Sequence, residues 1–385
     1  MKRSFIFIGS PKLPWIHPLL VEVARRHVTV AVDIQVWRAV PNRTRGPATE
    51  EYAGGLKTVT WWYPPGYAGR LDLLCTPIVR ARLRRLIYET RVRSGAEPYL
   101  VTPYPDSVRY LRGLCGERIV YWNYDDYASY VNGCRAENPF EHVMIEAADT
   151  VLCSSAYQRR RLANRLTASS HKLFHFPHGV QEPLMDGSVS GPYARTVCVI
   201  GSLTPRYDWR VIEQVVGKLP DVRFVFVGKL IKLADVIDYK TGATTEWLPH
   251  LREVLSMKNV VHIDQRAHEG ARLYYTQCAA SWLPYDVDHP FVKASCPLKL
   301  TDGAASGRPV ISADVPECRL HPEWISIYKS DDEAVALIEE SLSGGDSVKA
   351  QKRRCAQVEF ARKNTWAVRA QQLVEILQRE GPSGE

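Results

Sequence analysis

From residue 197 onward, short runs of apolar or β-branched residues recur at 197–200, 223–227, 260–263, 280–283, 310–312 and 325–328, and most are separated by stretches long enough for a helix. This alternation constrains the chain more than any other feature. Parallel strands can be joined only by crossovers, and helical crossovers cover the sheet to which they return, so six such units predict a doubly wound parallel α/β sheet. Two of the runs end in small residues, Gly201-Ser202 and Gly228. Those positions fall at the strand ends, where an open α/β sheet leaves its ligand crevice.

The first half carries the same punctuation less regularly, with strand candidates at 5–8, 28–32, 59–62, 99–101, 119–122, 151–153 and 173–176. For 385 residues, at about 150 per domain, two consecutive Rossmann-like domains are the economical reading. Pro177-His178-Gly179-Val180 and the Pro/Gly/Ser-rich stretch to Pro192 form the best linker candidate. The expected division is a first domain over 1–178, a linker over 179–192, a second domain over 193–360 and a terminal segment over 361–385. A helix with an acidic start is expected over 331–342. In the last helix Trp366, Ala370, Leu373 and Leu377 share one face, which must dock on something.

Composition excludes several classes. With 45% hydrophobic and 24% charged residues, the chain is neither a disordered tail nor a coiled coil. Lysines and arginines total 50 against 42 aspartates and glutamates, and the formal charge of +8 favours an anionic partner without making a charge-driven nucleic-acid binder. The 9 cysteines stand apart, with no C-x-x-C pair and no His/Cys cluster at metal spacing, so reduced structural thiols in a cytoplasmic protein are expected. The apolar run 5–8 is too short for a signal-peptide core, and no segment approaches a membrane-spanning length. No G-x-G-x-x-G opens either half, which argues against a nicotinamide-dependent dehydrogenase.

Four segments carry a family resemblance: Cys198-Val-Ile-Gly-Ser-Leu203, Phe224-Val-Phe-Val-Gly228, Leu283-Pro-Tyr285 and Pro297-Leu-Lys-Leu-Thr-Asp-Gly-Ala-Ala-Ser-Gly-Arg-Pro-Val310. In order and spacing they resemble the donor domain of the GT-B glycosyltransferases over roughly residues 195–330. In the first half, Ile119-Val-Tyr-Trp-Asn-Tyr-Asp-Asp126, Ala148-Asp-Thr-Val-Leu-Cys-Ser154 and Phe176-Pro-His-Gly-Val180 are similar more loosely. Within the family the arrangement looks most like the membrane-associated glucuronosyltransferase of xanthan assembly and its relatives. The resemblance implies two Rossmann-like domains facing across a cleft, with a carboxy-terminal helix, here the one opened by Asn364-Thr-Trp366, returning to the first. It also implies a transferase with a nucleotide-sugar donor, no cofactor, no metal, and a saccharide or lipid-linked acceptor in cell-surface or exopolysaccharide assembly.

A diphosphate needs a fixed cation and backbone N–H donors. Lys299, which precedes a helix-forming run, is placed to supply both near a helix N-terminus; the alternative is a solvated surface lysine. Leu298 belongs to the same donor-facing segment. Asp302, three residues on and on the same helical face, is the candidate for the ribose hydroxyls, where the family often has Glu or Gln; the alternative is a plain helix-cap carboxylate. Gly201 and Ser202 would let phosphates approach the backbone, with Leu203 near the base or ribose. Arg206 is a second candidate cation, and Arg266 and Tyr285 stand on loops expected to face the donor. Asp286-Val-Asp288 is literally a D-x-D, a metal signature of another glycosyltransferase fold, and is read here as a loop.

Transfer with inversion needs a base in line behind the anomeric carbon. Asp125 ends a strand-like run and matches the Tyr-x-x-x-Asp pattern of the xanthan-type enzyme; Asp126 is the alternative and would point the other way if the strand continued. A helix start through 127–130 is the competing structural role for the pair. Retaining GT-B relatives often show two glutamates spaced by seven residues, the second at the Asp302 position; here the residue eight before Asp302 is Ala294, which favours inversion. His178 is assigned to the hinge. The basic excess concentrates in Arg80, Arg82, Arg84, Arg85, Arg91 and Arg93, interleaved with Val79, Leu83, Leu86, Ile87 and Tyr88. That pattern fits either a peripheral position on the inner, anionic face of a membrane or a surface helix with its apolar side in the core. Trp61-Trp62-Tyr63 and Tyr67 nearby are candidates for an acceptor platform, for interfacial anchors or simply for core. A scaffold or sensor that binds a nucleotide sugar without turnover is the second functional reading.

Overall fold

A computed structural model of the chain describes residues 3–36, 48–51, 55–66, 70–114, 118–126, 139–182, 194–231, 245–343 and 347–379. Tyr67, the helix start over 127–130, Cys115, Cys134 and the linker beyond 182 lie outside the described residues.

The first sheet is built from β1 (Ser4–Ile8), β2 (Val28–Val36), β3 (Ala48–Glu51), β4 (Lys57–Tyr63), β5 (Tyr99–Thr102), β6 (Arg118–Asn123), β7 (Thr150–Cys153) and β8 (Leu173–His175). Its order is β3-β4-β2-β1-β5-β6-β7-β8, parallel throughout except for β3, which pairs antiparallel with β4. The second sheet contains β9 (Thr196–Ile200), β10 (Arg223–Val227), β11 (Val260–Ile263), β12 (Ala280–Leu283), β13 (Val310–Ala313) and β14 (Ile325–Tyr328) in the order β11-β10-β9-β12-β13-β14. The order reverses between β9 and β12, which is where a doubly wound sheet opens a crevice at its carboxyl edge. All thirteen sequence-predicted runs are strands; β3 is the addition, a short polar edge piece without an apolar run to signal it.

Both faces of the first sheet are covered, which is why its strands read as continuous apolar runs rather than alternating ones. Along β1, Ile6 and Ile8 pack towards Val79, Leu83 and Ile87 of the helix Asp72–Ser94. Phe5 and Phe7 point the other way, into a cluster with Leu19, Leu20 and Val23 of the helix His17–Ala24. The same cluster takes in Trp366, Ala370, Leu373, Ile376 and Leu377. The terminal helix Trp366–Arg379 therefore docks its apolar face on the first domain.

The preceding helix, Val348–Lys363, stays with the second domain, where Gln357 Nε2 donates to the carbonyls of Gly303 and Arg308 at 2.8 and 2.7 Å. The chain thus crosses outward at 178–180 and back at 364–366, and the two crossings are tied together. Val180 N–H donates to the Asn364 carbonyl at 2.7 Å, and a Cβ on Gly179 would stand 2.5 Å from the Trp366 ring. A second tie is Glu317, fully buried, which reaches from the second domain to the start of the helix Ala156–Arg165. Its Oε2 accepts from the Ala156 N–H at 2.9 Å and its Oε1 lies 2.9 Å from His175 Nε2. These contacts set how the two carboxyl edges face each other.

Candidate active site

Between the domains lies a cleft of about 540 Å³, within the usual size of small-molecule sites. Pro14, Trp15, Tyr124, Asp125 and His178 line it from the first domain, and the ends of β9, β10, β11 and β12 with the helix Leu298–Ser306 line it from the second.

The helix Leu298–Ser306 starts after an extended Pro297 and stops at Gly307, whose φ of 66° is left-handed. Its first turn carries Lys299 and, three residues later, Asp302, both facing the cleft with Leu298. Lys299 Nζ donates to the Tyr285 hydroxyl at 2.8 Å and lies 5.1 and 5.4 Å from the centroids of the Tyr285 and Tyr207 rings. Burial, and then the nearby Arg206, depresses the Lys299 ammonium from its usual range to about 7. The Arg206 guanidinium carbon is 3.3 Å from the Phe291 ring centroid, so this second cation also faces the cleft on a defined support.

The two strand-end glycines exist for close approach. A Cβ on Gly201 would fall 2.2 Å from Lys299 Cε, and one on Gly228 would fall 2.2 Å from the Gly201 carbonyl oxygen. Gly228→Ala is expected to push the Gly201-Ser202 turn out of place at a cost of about 1–3 kcal/mol, as for other overpacked positions. A denaturant titration that finds wild-type stability would show that the two turns are not held this closely.

Asp302 is 8% exposed and is held by partners the sequence did not announce. Its Oδ2 is 3.0 Å from His268 Nε2, and its Oδ1 is 3.6 Å from Arg272 Nε. The hydrogen bond to Asp302 raises the His268 imidazole above its ordinary value, against the opposing effect of burial. His268 itself lines the cleft beside Arg266, both following β11. The sequence signal for His268 is its place at a strand end, since nothing in its spacing links it to Asp302.

Two expectations are corrected here. Leu203 does not face the cleft: it is fully buried in the core of the second domain, bridged to Leu230, and Thr204 lines the cleft instead. Asp126 is excluded as a cleft base, because it is 2% exposed and its Oδ1 is ion-paired with Arg161 Nη2 at 3.0 Å. Asp125, one residue earlier, lines the cleft, and its Oδ1 accepts the Asp126 N–H at 3.0 Å. His178 also lines the cleft; burial lowers its imidazole to about 4, which leaves the ring neutral near neutral pH.

The D-x-D forms a turn in which the Asp288 N–H donates to Asp286 Oδ1 at 2.9 Å, and the exposed Asp288 pairs with Lys293 at 3.2 Å. Among the described residues no group of three His, Cys, Asp or Glu side chains is placed to hold a metal ion. Of the arginine stretch, Arg80 and Arg82 are engaged by the protein. Arg80 donates to the carbonyls of Arg112 and Gly113 at 2.7 and 3.2 Å, and Arg82 donates to the Tyr63 hydroxyl at 3.2 Å. No helix among the described residues is long and apolar enough to cross a membrane.

The architecture has solved counterparts. A UDP-forming α,α-trehalose-phosphate synthase from Burkholderia vietnamiensis matches over 98% of this chain and 100% of its own, with a TM-score of 0.68 at 11% identity. HepE of Anabaena, solved in complex with UDP and glucose, matches over 98% and 100% with a TM-score of 0.62 at 12% identity. The fold is GT-B. A further trehalose-6-phosphate synthase, solved in work on glycosyltransfer with retention, has a TM-score of 0.65 at 10% identity over 97% and 99% of the two chains. In sequence, a Bacillus subtilis (strain 168) protein named "Putative teichuronic acid biosynthesis glycosyltransferase TuaH" is 24% identical over 230 residues. That alignment takes in 56% of this chain and 54% of the relative, so the chain spans about half the relative's length. No family model matches the chain.

Proposed function

We propose that the protein is a glycosyltransferase that moves a sugar from a nucleotide diphosphate donor to a hydroxyl of a saccharide or lipid-linked acceptor in cell-surface polysaccharide assembly, without a metal and with inversion. The observation that carries this reading is the pairing across one cleft of a two-cation pocket at a helix N-terminus, Lys299 with Arg206, and a carboxylate from the opposite domain, Asp125. The name of the Bacillus relative supports glycosyl transfer, and the UDP-bound neighbour supports the donor class.

In this scheme the acceptor hydroxyl attacks the anomeric carbon as Asp125 takes its proton. The bond from that carbon to the diphosphate oxygen breaks, and the charge left on the diphosphate is met by Lys299, Arg206 and the N–H groups at the start of the helix Leu298–Ser306. Gly201 and Ser202 let the phosphates come against the backbone, Tyr285 positions the Lys299 ammonium, and the Asp302–His268 pair reads the ribose. Arg266 and Leu298 border the nucleoside. The trehalose-phosphate synthase neighbours leave the stereochemistry to local features, and Ala294, buried where the retaining pattern has a carboxylate, supports inversion together with Asp125. The Tyr-x-x-x-Asp pattern ending at Asp125, expected from the sequence, supports the Asp125 assignment alone.

A thermal-shift panel of nucleoside diphosphates and nucleotide sugars tests the donor class. A matching ligand at 100 times its Kd adds about 2.7 kcal/mol of stability. At least one member of the panel is expected to raise the melting temperature by several degrees; a flat response across the panel would overturn the reading.

A further inference from the structure

Five large apolar side chains stand exposed on one helix, Asp72–Ser94: Leu73 (90% exposed), Leu74 (69%), Ile78 (49%), Tyr88 (68%) and Val92 (68%). The other exposed large apolar residues described, such as Leu230, Leu273 and Val348, are distributed over separate elements, as on any protein surface. The opposite side of the helix is already used, with Cys75, Val79, Leu83, Ile87 and Thr90 buried against the sheet. Leu74, Ile78, Ala81, Tyr88 and Val92 recur at helical spacing, interrupted by Arg85, so the outer stripe runs along the helix on the side away from the core, with Leu73 flanking its start. A helix that is apolar on both sides is not an ordinary solvated surface helix.

Charge narrows the occupant. The helix has six arginines against two acidic residues, and both acids are neutralised locally, Asp72 by Arg109 at 3.1 Å and Glu89 by Arg85 at 2.7 Å. With Arg80 and Arg82 turned to protein groups, the exposed arginines around the outer stripe are Arg84, Arg85, Arg91 and Arg93; Arg85 and Arg91 carry surface ion pairs, with Glu89 and with Glu97 at 3.3 Å, of the kind that salt and solvent weaken. As the crossover from β4 to β5, the helix runs antiparallel to the strands, so its apolar start at Leu73, Leu74 and Ile78 lies at the carboxyl edge of the sheet, the edge that carries Asp125.

We infer that this helix lies in the plane of an anionic lipid surface, with Leu73, Leu74 and Ile78 entering the acyl boundary and Arg84, Arg85, Arg91 and Arg93 meeting the headgroups. A polyanionic glycan would use the arginines and leave the leucines wet. The inference goes beyond the cleft chemistry and stands apart from it, since an inactive protein would bind in the same way.

Co-sedimentation of the full chain, without nucleotide, with vesicles of phosphatidylcholine alone or mixed with phosphatidylglycerol tests it. Binding to the anionic vesicles is expected to exceed binding to neutral ones by about tenfold or more, and to weaken with added salt. The double variant Leu73→Ser/Leu74→Ser should lose about tenfold in binding with an unchanged melting temperature, because both side chains are solvent-exposed. Arg84→Glu/Arg85→Glu should lose the preference for anionic vesicles. Equal binding by wild type and the leucine variant would overturn the inference, as would a wild-type dimer in light scattering that ignores vesicles and falls apart in that variant.

Discussion

Replacing Asp125 by asparagine is expected to lower kcat by about 10²–10⁴, the usual contribution of a positioned general base, while leaving the affinity for the nucleotide diphosphate unchanged. The separation is structural. Asp125 belongs to the first domain, whereas the cations and the helix start that would hold the diphosphate belong to the second. Asparagine keeps the shape of the side chain and an oxygen for the Asp126 N–H, so the local turn should survive. Asp126→Asn is the contrast: it removes the charge that pairs with Arg161 in a nearly closed site and should appear as lost stability rather than a selective loss of turnover. Turnover by Asp125→Asn within about threefold of wild type would remove this residue from the chemistry. The anomeric configuration of the product, read by NMR, is an independent check, because retention is incompatible with a base that only activates the acceptor.

Lys299→Met should weaken nucleotide diphosphate binding by about 10–100-fold, as expected for loss of a hydrogen bond between charged partners. It should also change the pH dependence. With the Lys299 ammonium depressed to about 7, the donor-free protein holds this proton only part of the time at neutral pH. A bound diphosphate favours the charged form and raises the value, so binding takes up a proton. Affinity is therefore greatest below pH 7 and declines as pH rises from about 7 towards the raised value of the complex. At pH 8 the terminal phosphate, whose second pKa is about 6, is already ionised, so any proton taken up there comes to the protein. Calorimetry in buffers of different ionisation enthalpy should show that uptake in wild type and lose it in Lys299→Met. An unchanged Kd in the variant would show that Lys299 is a packing residue under Tyr285.

Local chemistry was enough to find most elements of the second domain. Pro297 before the helix and Gly307 after it are start and stop signals that act within a few residues, and the distance from Lys299 to Asp302 is about one helical turn whatever surrounds it. The apolar face of the last helix was legible for the same reason, although what it would dock on was not. Strand β3 was invisible because Ala-Thr-Glu-Glu at a sheet edge has no signature apart from its partner.

Side-chain direction was harder to read. Leu203 and Thr204 differ by one position in an extended segment, and one position exchanges core for cleft. The Asp302 carboxylate is held by His268 and Arg272 from another helix, so its environment is not written near it in the chain.

Periodicity and turn chemistry, which act over a few residues, determined that this chain forms two parallel α/β sheets and where their strand ends would lie. Which of two adjacent aspartates meets the cleft was settled by Arg161, brought in from the helix Ala156–Arg165 to bury one of them. Which side of an arginine-rich helix with apolar residues on both faces stays outside was settled by docking on β1 and β2. Both are contests between surfaces far apart in sequence, and burial free energy is won only once those surfaces meet.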